Sequence, residues 1–352
     1  MVLMNRMQNG QQAIMPIVKK TARAASGLVL AIAIAAAAIA EEKPAKQLFG
    51  GVELPADQKA QPVGFYSRGC LAGAMAIPVD GPDWQVMRLS RNRRWGHPDL
   101  IRVIEELSVR SKRRGWNGLM VGDISQPRGG PMLTGHASHQ VGLDVDLWFM
   151  PMPDKRLTFE EREELSAISV LKAGSFYVDE KRWTRAHANL LREAASFGEV
   201  ERILVHPGVK KKLCETVGGD RKWLQKIRPY YGHNYHFHLR IACPKGSSGC
   251  KPQAEVAAGD GCDKSLDWWF DVALQPKKQK KPEKQVKPRQ IMLSDLPPSC
   301  TKILAADAVP SEAAEYRIKE SAFSAPEIVI PAVDPLAILT SKPIEAKRPA
   351  RK

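Results

Sequence analysis

The sequence predicts an α+β domain stapled by disulfides. Three observations carry that reading. One segment has the period of an amphipathic helix, two have the two-residue period of half-buried strands, and six cysteines follow an export-type leader.

The leader comes first. Residues 1–40 read as a signal peptide: Arg6, Lys19, Lys20 and Arg23 stand without an acid, and an apolar run of 13 residues spans Leu28 to Ala40. Ala38-Ile39-Ala40 has the small-x-small form of a cleavage site, and Glu41-Glu42 ends the run. The run falls short of the ~20 residues a membrane span needs, so an uncleaved anchor is the weaker reading. All six cysteines (Cys70, Cys214, Cys243, Cys250, Cys262 and Cys300) lie beyond the leader. An even number in an exported chain reads as three disulfides. Spacing alone marks only Cys243 and Cys250 as able to close a short loop. A zinc ribbon is disfavoured because no C-x-x-C pair occurs.

Residues 41–60 are expected to form a flexible lead-in, and 61–274 the folded domain. In Pro98-Asp-Leu-Ile-Arg-Val-Ile-Glu-Glu-Leu107 the apolar residues Leu100, Ile101, Ile104 and Leu107 share one helical face, and proline suits the first turn. Ala186–Phe197 reads as a second helix. Arg202–Val205, ended by His206-Pro207, reads as a short buried strand. Residues 275–309 read as a Lys/Pro-rich strap ending in a paired cysteine, and 310–352 as a disordered tail. The net charge of +15 falls to near +11 once the leader is removed, and residues 275–290 carry seven Lys/Arg against one Glu. Nucleic acid is an unsuitable partner for an exported chain, so a solvated linker is the expectation for this run.

Five of the eight histidines fall in two clusters. One is Gly135-His-Ala-Ser-His139-Gln-Val-Gly-Leu-Asp144-Val-Asp146. The other is His233-Asn-Tyr-His236-Phe-His238-Leu-Arg240. In the first, Val141, Leu143, Val145 and Leu147 alternate with Gly142, Asp144 and Asp146, so a strand turns both aspartates to one face. In the second, the same period gathers His236, His238 and Arg240 on one face and sends Phe237 and Leu239 to the core. A single histidine or aspartate on a strand is usually structural. Two carboxylates on an otherwise apolar strand are costly unless something neutralises them, and a divalent cation does so. Imidazole and carboxylate together suit zinc.

Other hydrolytic classes fit poorly. No H-E-x-x-H helix motif exists. Ser169-Val-Leu-Lys172 and Ser248-Gly-Cys-Lys251 match S-x-x-K, but neither K-T-G nor S-D-N accompanies them. Thiol catalysis is disfavoured because each cysteine has a disulfide role.

The pattern His139-x6-Asp146 with His236-x-His238 resembles the LAS metallopeptidases, and more narrowly the penicillin-insensitive murein endopeptidase family. Ser67-Arg-Gly-Cys-Leu, Gln85-Val-Met-Arg, Trp95-Gly-His-Pro-Asp-Leu, Asp220-Arg-Lys-Trp, Ile227-Arg-Pro and Pro298-Ser-Cys300 extend the likeness over roughly residues 62–305. The resemblance implies a small central antiparallel sheet flanked by helices and loops. It implies Zn2+ on His139, Asp146 and His238, with His236 as general base. It also implies the pairings Cys70–Cys300, Cys214–Cys262 and Cys243–Cys250.

Asp144 is expected to orient a ligand histidine, and His233 or Arg240 to steady the oxyanion or a substrate carboxylate. Some family members bind a second zinc through His136 together with an aspartate and a histidine further on. Lys172–Asp179 holds no histidine here, which weakens the second site and leaves two readings of His136: a ligand of that site, or a hydrogen-bonding group in the cleft. The implied substrates are peptidoglycan cross-links, D-alanyl–meso-diaminopimelyl and also diaminopimelyl–diaminopimelyl, in the periplasm. The alternatives are a D,D-carboxypeptidase of the same architecture and a non-catalytic wall-binding module. Oligomeric state is left open.

Overall fold

Segments of three to six residues build most of the sheet, and two helical crossovers set its order. The structure, a computed structural model, describes residues 42–276 and 289–310. The leader (1–40), the middle of the strap and the tail beyond 310 lie outside the described residues.

The chain begins with α1 (Ala45–Gly50), then the antiparallel pair β1 (Gln61–Phe65) and β2 (Arg68–Ala72). Next come β3 (Met75–Ala76), β4 (Asp80–Gly81), β5 (Trp84–Val86), β6 (Trp95–Gly96) and α2 (Pro98–Arg113). β7 (Leu119–Val121), β8 (Asp144–Trp148), α3 (Phe159–Glu164), α4 (Arg185–Ser196) and β9 (Val200–Val205) follow. The last elements are α5 (Pro207–Thr216), β10 (Ile227–Pro229), β11 (His236–Ile241), α6 (Lys264–Trp268) and α7 (Ser299–Ala305).

One sheet has seven strands in the order β10-β9-β11-β8-β7-β5-β4. Its centre is antiparallel, as expected: β11 pairs with both β8 and β9 in that sense. The flanks differ from the expectation. β10 runs parallel to β9, and β5 parallel to β7, so the sheet is mixed and larger than predicted. The reason is topological. Parallel neighbours need a crossover, and α5 joins β9 to β10 while α2 lies between β5 and β7.

The helices follow their sequence signals. In α2 the His97 side chain accepts the Asp99 N–H at 3.2 Å, and Arg110, Lys112 and Arg113 occupy the last turn, where the helix dipole favours cations. His206 caps α5 in the same way, and Pro207 takes its first position. Leu100, Ile101, Ile104 and Leu107 of α2 and Leu190, Leu191 and Ala194 of α4 pack with Val145, Leu147, Phe237 and Leu239 from the sheet. One face of β8 and β11 is therefore core. The alternate residues of those strands are left for the other face.

Residues 45–50 depart from the flexible lead-in that was expected. Phe49 and Ala45 are fully buried, in a second cluster with Cys70, Leu296, Cys300 and Ile303. The three disulfides pair as the resemblance implied: Cys70–Cys300, Cys214–Cys262 and Cys243–Cys250. The first closes a separation of 230 residues and brings α7 onto β2. Arg128 strengthens this join, donating to the carbonyls of Ile303, Leu304 and Ala306 at 2.9, 2.7 and 2.7 Å. Among the described residues no helix is long and apolar enough to cross a membrane.

Candidate metal centre

The register of β11 against β8 builds the site. His238 lies opposite Asp146, Arg240 opposite Asp144, and His236 opposite Trp148. Directly opposed residues in an antiparallel pair share a face, so the two aspartates meet the two histidines away from the apolar core.

His139 arrives from the loop before β8. Its φ of 66° is left-handed, a conformation that costs a non-glycine residue on the order of 1–2 kcal/mol. Two bonds hold it there. Its backbone N–H donates to Asp144 Oδ2 at 3.1 Å, and its Nδ1–H donates to the Ile124 carbonyl at 2.7 Å. Gly142 lets this loop close: its φ is 66°, and a Cβ there would stand 2.3 Å from Leu71 Cδ2.

A carbonyl can only accept, so the His139 proton sits on Nδ1 and Nε2 keeps its lone pair. That Nε2 is buried without a hydrogen-bond partner, 3.3 Å from Asp146 Oδ1. His238 is fixed by the same logic from the other side. Its Nε2–H donates to Asp144 Oδ1 at 2.8 Å, which leaves Nδ1 facing Asp146 Oδ1 at 3.2 Å. Asp146 Oδ1 is itself buried without a partner. Two ligands at 2.0–2.1 Å from a tetrahedral zinc stand about 3.3–3.4 Å apart. The spacing and the orphaned atoms fit a zinc-type cation.

Burial alone would raise both aspartates. For Asp144 the Arg240 guanidinium and His238 outweigh it, and for Asp146 the His139 and His236 imidazoles do, so both carboxyls stay well below the usual range. Burial lowers His238, but Asp144 beside it more than reverses that.

His236 stands with Nε2 3.7 Å from Asp146 Oδ1, and its buried Nδ1 has no partner. Burial pushes its pKa down, so the ring is neutral near pH 7 and able to take a proton. His136 faces the other carboxylate oxygen of Asp146, with its ring centroid 4.4 Å from that of His139. Its Nδ1 is 3.3 Å from Oδ2, and its Nε2 is 3.1 Å from Asp123 Oδ2. His136, His139 and Asp146 each offer a ligand atom within 4.8 Å of the others.

Two expected roles change. Arg240 does not face substrate: its guanidinium is buried against Asp144 at 2.6 Å, donates to Gln253 at 2.6 Å, and lies 4.0 Å above the Tyr66 ring. It neutralises Asp144 because a buried carboxylate needs a counter-charge there. His233 does border His236, with ring centroids 4.9 Å apart. However, its Nδ1–H donates to the Tyr231 carbonyl at 2.7 Å, and burial lowers its pKa to about 4. Neutral and in that tautomer, its Nε2 is an acceptor and has no proton to offer an oxyanion.

Asp123 was missed at the level of sequence. It follows β7 in a loop, 2.8 Å from Arg93 and 3.2 Å from Arg91. Burial would raise it, but His136 and the two arginines hold it down to about 2. An acid one glycine beyond the apolar Leu119-Met120-Val121 was the only available signal. Asp146, His136 and His236 line a cleft of about 260 Å³ together with Asp123, Arg88, Trp148 and Tyr235, and Asp146 joins that cleft to His139 and His238.

Comparison with known proteins shows the family. The profile of the family described as penicillin-insensitive murein endopeptidase matches residues 62–305. The chain belongs to this family. A penicillin-insensitive murein endopeptidase of Haemophilus influenzae is 46% identical over 215 residues, covering 61% of this chain and 75% of that protein. The protein of the same name from Pectobacterium atrosepticum is 38% identical over 278 residues, 78% of this chain and 95% of its own. One from Klebsiella pneumoniae is 39% identical, covering 71% and 88%. The matched region takes in β8, β11, the His139 loop and all six cysteines.

Proposed function

We propose that this chain is a zinc-dependent murein endopeptidase with LAS-type architecture, hydrolysing D-alanyl–meso-diaminopimelyl cross-links and also the diaminopimelyl–diaminopimelyl kind. One observation carries the reading. Two buried atoms without hydrogen-bond partners, His139 Nε2 and Asp146 Oδ1, converge with His238 Nδ1 beside an open cleft.

In this reading His139, Asp146 and His238 hold the ion. His136 is not counted among them in this reading; its Nε2 is engaged by Asp123 and its Nδ1 stands 3.3 Å from the other oxygen of Asp146. Zinc, when bound, supplies Lewis acidity toward water and a carbonyl. His236 takes a proton from the attacking water and returns it to the departing amine. Asp144 keeps His238 in the tautomer that presents Nδ1. Residues 1–40 direct export to the periplasm, where the cross-links are, and residues 275–309 act as the strap that returns Cys300 to Cys70. No acyl-enzyme forms on a serine, so a β-lactam has nothing to trap.

Purified cross-linked dimer and uncross-linked monomer muropeptides, with and without a chelator, test this. Chelator-sensitive cleavage of the dimer supports the endopeptidase. Trimming of the monomer alone would instead indicate a carboxypeptidase, and inactivity on both would indicate a wall-binding module.

A further inference from the structure

One cation in the cleft has no role so far. Arg88 follows β5 and shares the cleft with Asp146, His136 and His236. Its φ of 57° is left-handed, strain of the kind that persists where surrounding structure demands it. Its guanidinium is held in place by two backbone carbonyls, of Arg162 at 3.2 Å and of Leu165 at 2.9 Å. A guanidinium has five N–H donors, so three remain unspent. Among the described residues no carboxylate lies within ion-pair distance of it. The other arginines near the cleft differ: Arg91 and Arg93 each already have a carboxylate partner in Asp123. Arg88 is thus a pre-positioned positive charge facing a small cleft, with its own counter-ion missing.

We propose that Arg88 is a specificity residue that binds a free carboxylate of the peptide substrate in the cleft it shares with the metal-holding residues. The inference rests on the reading of the substrate as wall peptide, whose diaminopimelyl residues carry free carboxylates. A planar fork already fixed by carbonyls loses little freedom on engaging a carboxylate, and it distinguishes that group from a neutral amide. The plainer role is structural, since Arg162 and Leu165 lie at the end of α3 and an arginine there satisfies orphan carbonyls. That role predicts no discrimination between substrates.

The test compares two cross-linked dimers that differ only in the diaminopimelyl carboxylate beside the cross-link, free in one and converted to the carboxamide in the other. The zinc-loaded full chain should cleave the free acid with a kcat/KM ~10–100-fold higher, the size expected for one charge-assisted pair. Arg88→Met should cleave both dimers at one reduced rate, with zinc content unchanged. Arg88→Lys, which keeps the charge without the fork, should retain part of the preference and guards against a folding defect. Equal cleavage of both dimers by the unaltered chain overturns the Arg88 assignment alone, as does a preference that survives in Arg88→Met. Failure of the unaltered chain to cleave either dimer overturns the endopeptidase reading, and the Arg88 assignment with it.

Discussion

Asp144 Oδ1 accepts the Nε2–H of His238 at 2.8 Å, and the same carboxylate takes the Arg240 guanidinium at 2.6 Å. One fully buried carboxyl therefore sets the tautomer of a metal-facing histidine, holds the His139 backbone through Oδ2, and neutralises a buried arginine.

Asp144→Asn keeps the shape and removes the charge. Zinc affinity should fall about 10–100-fold, as for other partners of ligand histidines. The unpaired Arg240 should cost roughly 3–5 kcal/mol of stability. Adding Arg240→Met should recover stability but leave zinc binding weak. Denaturant melts and zinc titrations separate the two effects; recovery of both together would contradict the division of roles.

His236→Ala should lower kcat by ~100-fold or more while bound zinc stays near one per chain. Metal content by atomic emission checks this. Loss of the metal would make His236 a ligand, and retained turnover would remove it as the base.

Glu105 lies on the buried face of α2, 2% exposed, with Oε2 unpartnered. Burial raises its pKa from the usual 4.5 to about 8. The folded state then binds the extra proton between those values, so this group's contribution is present below pH 4.5 and is lost as pH rises through about 8. Glu105→Gln should stabilise the protein at pH 8 by roughly 1–3 kcal/mol and flatten its stability across that window. Melts at pH 5 and pH 8 give the comparison; an unchanged slope would mean that Glu105 is not the proton-binding group.

Cys70→Ser with Cys300→Ser should cost on the order of 3–5 kcal/mol, because the bond closes a long loop. The first segments to become protease-sensitive should be α1 and α7, which share the cluster around that bond. Limited proteolysis reads this directly. Cleavage beginning instead near β8 or β11 would show that the clip supports the sheet.

The alternation of Val145 and Leu147 with Asp144 and Asp146, and of Phe237 and Leu239 with His236 and His238, made the centre of the sheet and its site legible. Period alone separates a core face from a chemical face on such strands. β5 and β10 were not legible, because three residues carry no measurable period and their pairing depends on crossovers. Nor was α1, since the cluster that buries Ala45 and Phe49 is completed by Leu296, Cys300 and Ile303, about 250 residues away in sequence. The Ile124 carbonyl that fixes His139 is backbone, invisible to any residue pattern. Arg240 was misread because its strand face was clear, while the depth of its burial behind Asp144 was not.

The central claim is one cation on His139, Asp146 and His238. Diffraction from zinc-loaded crystals above and below the zinc absorption edge tests it most directly. The account predicts a single anomalous peak about 2.0–2.2 Å from His139 Nε2, Asp146 Oδ1 and His238 Nδ1, with the cleft side open. A principal peak between His136 and Asp123, or a zinc closed by a fourth protein ligand, would contradict it.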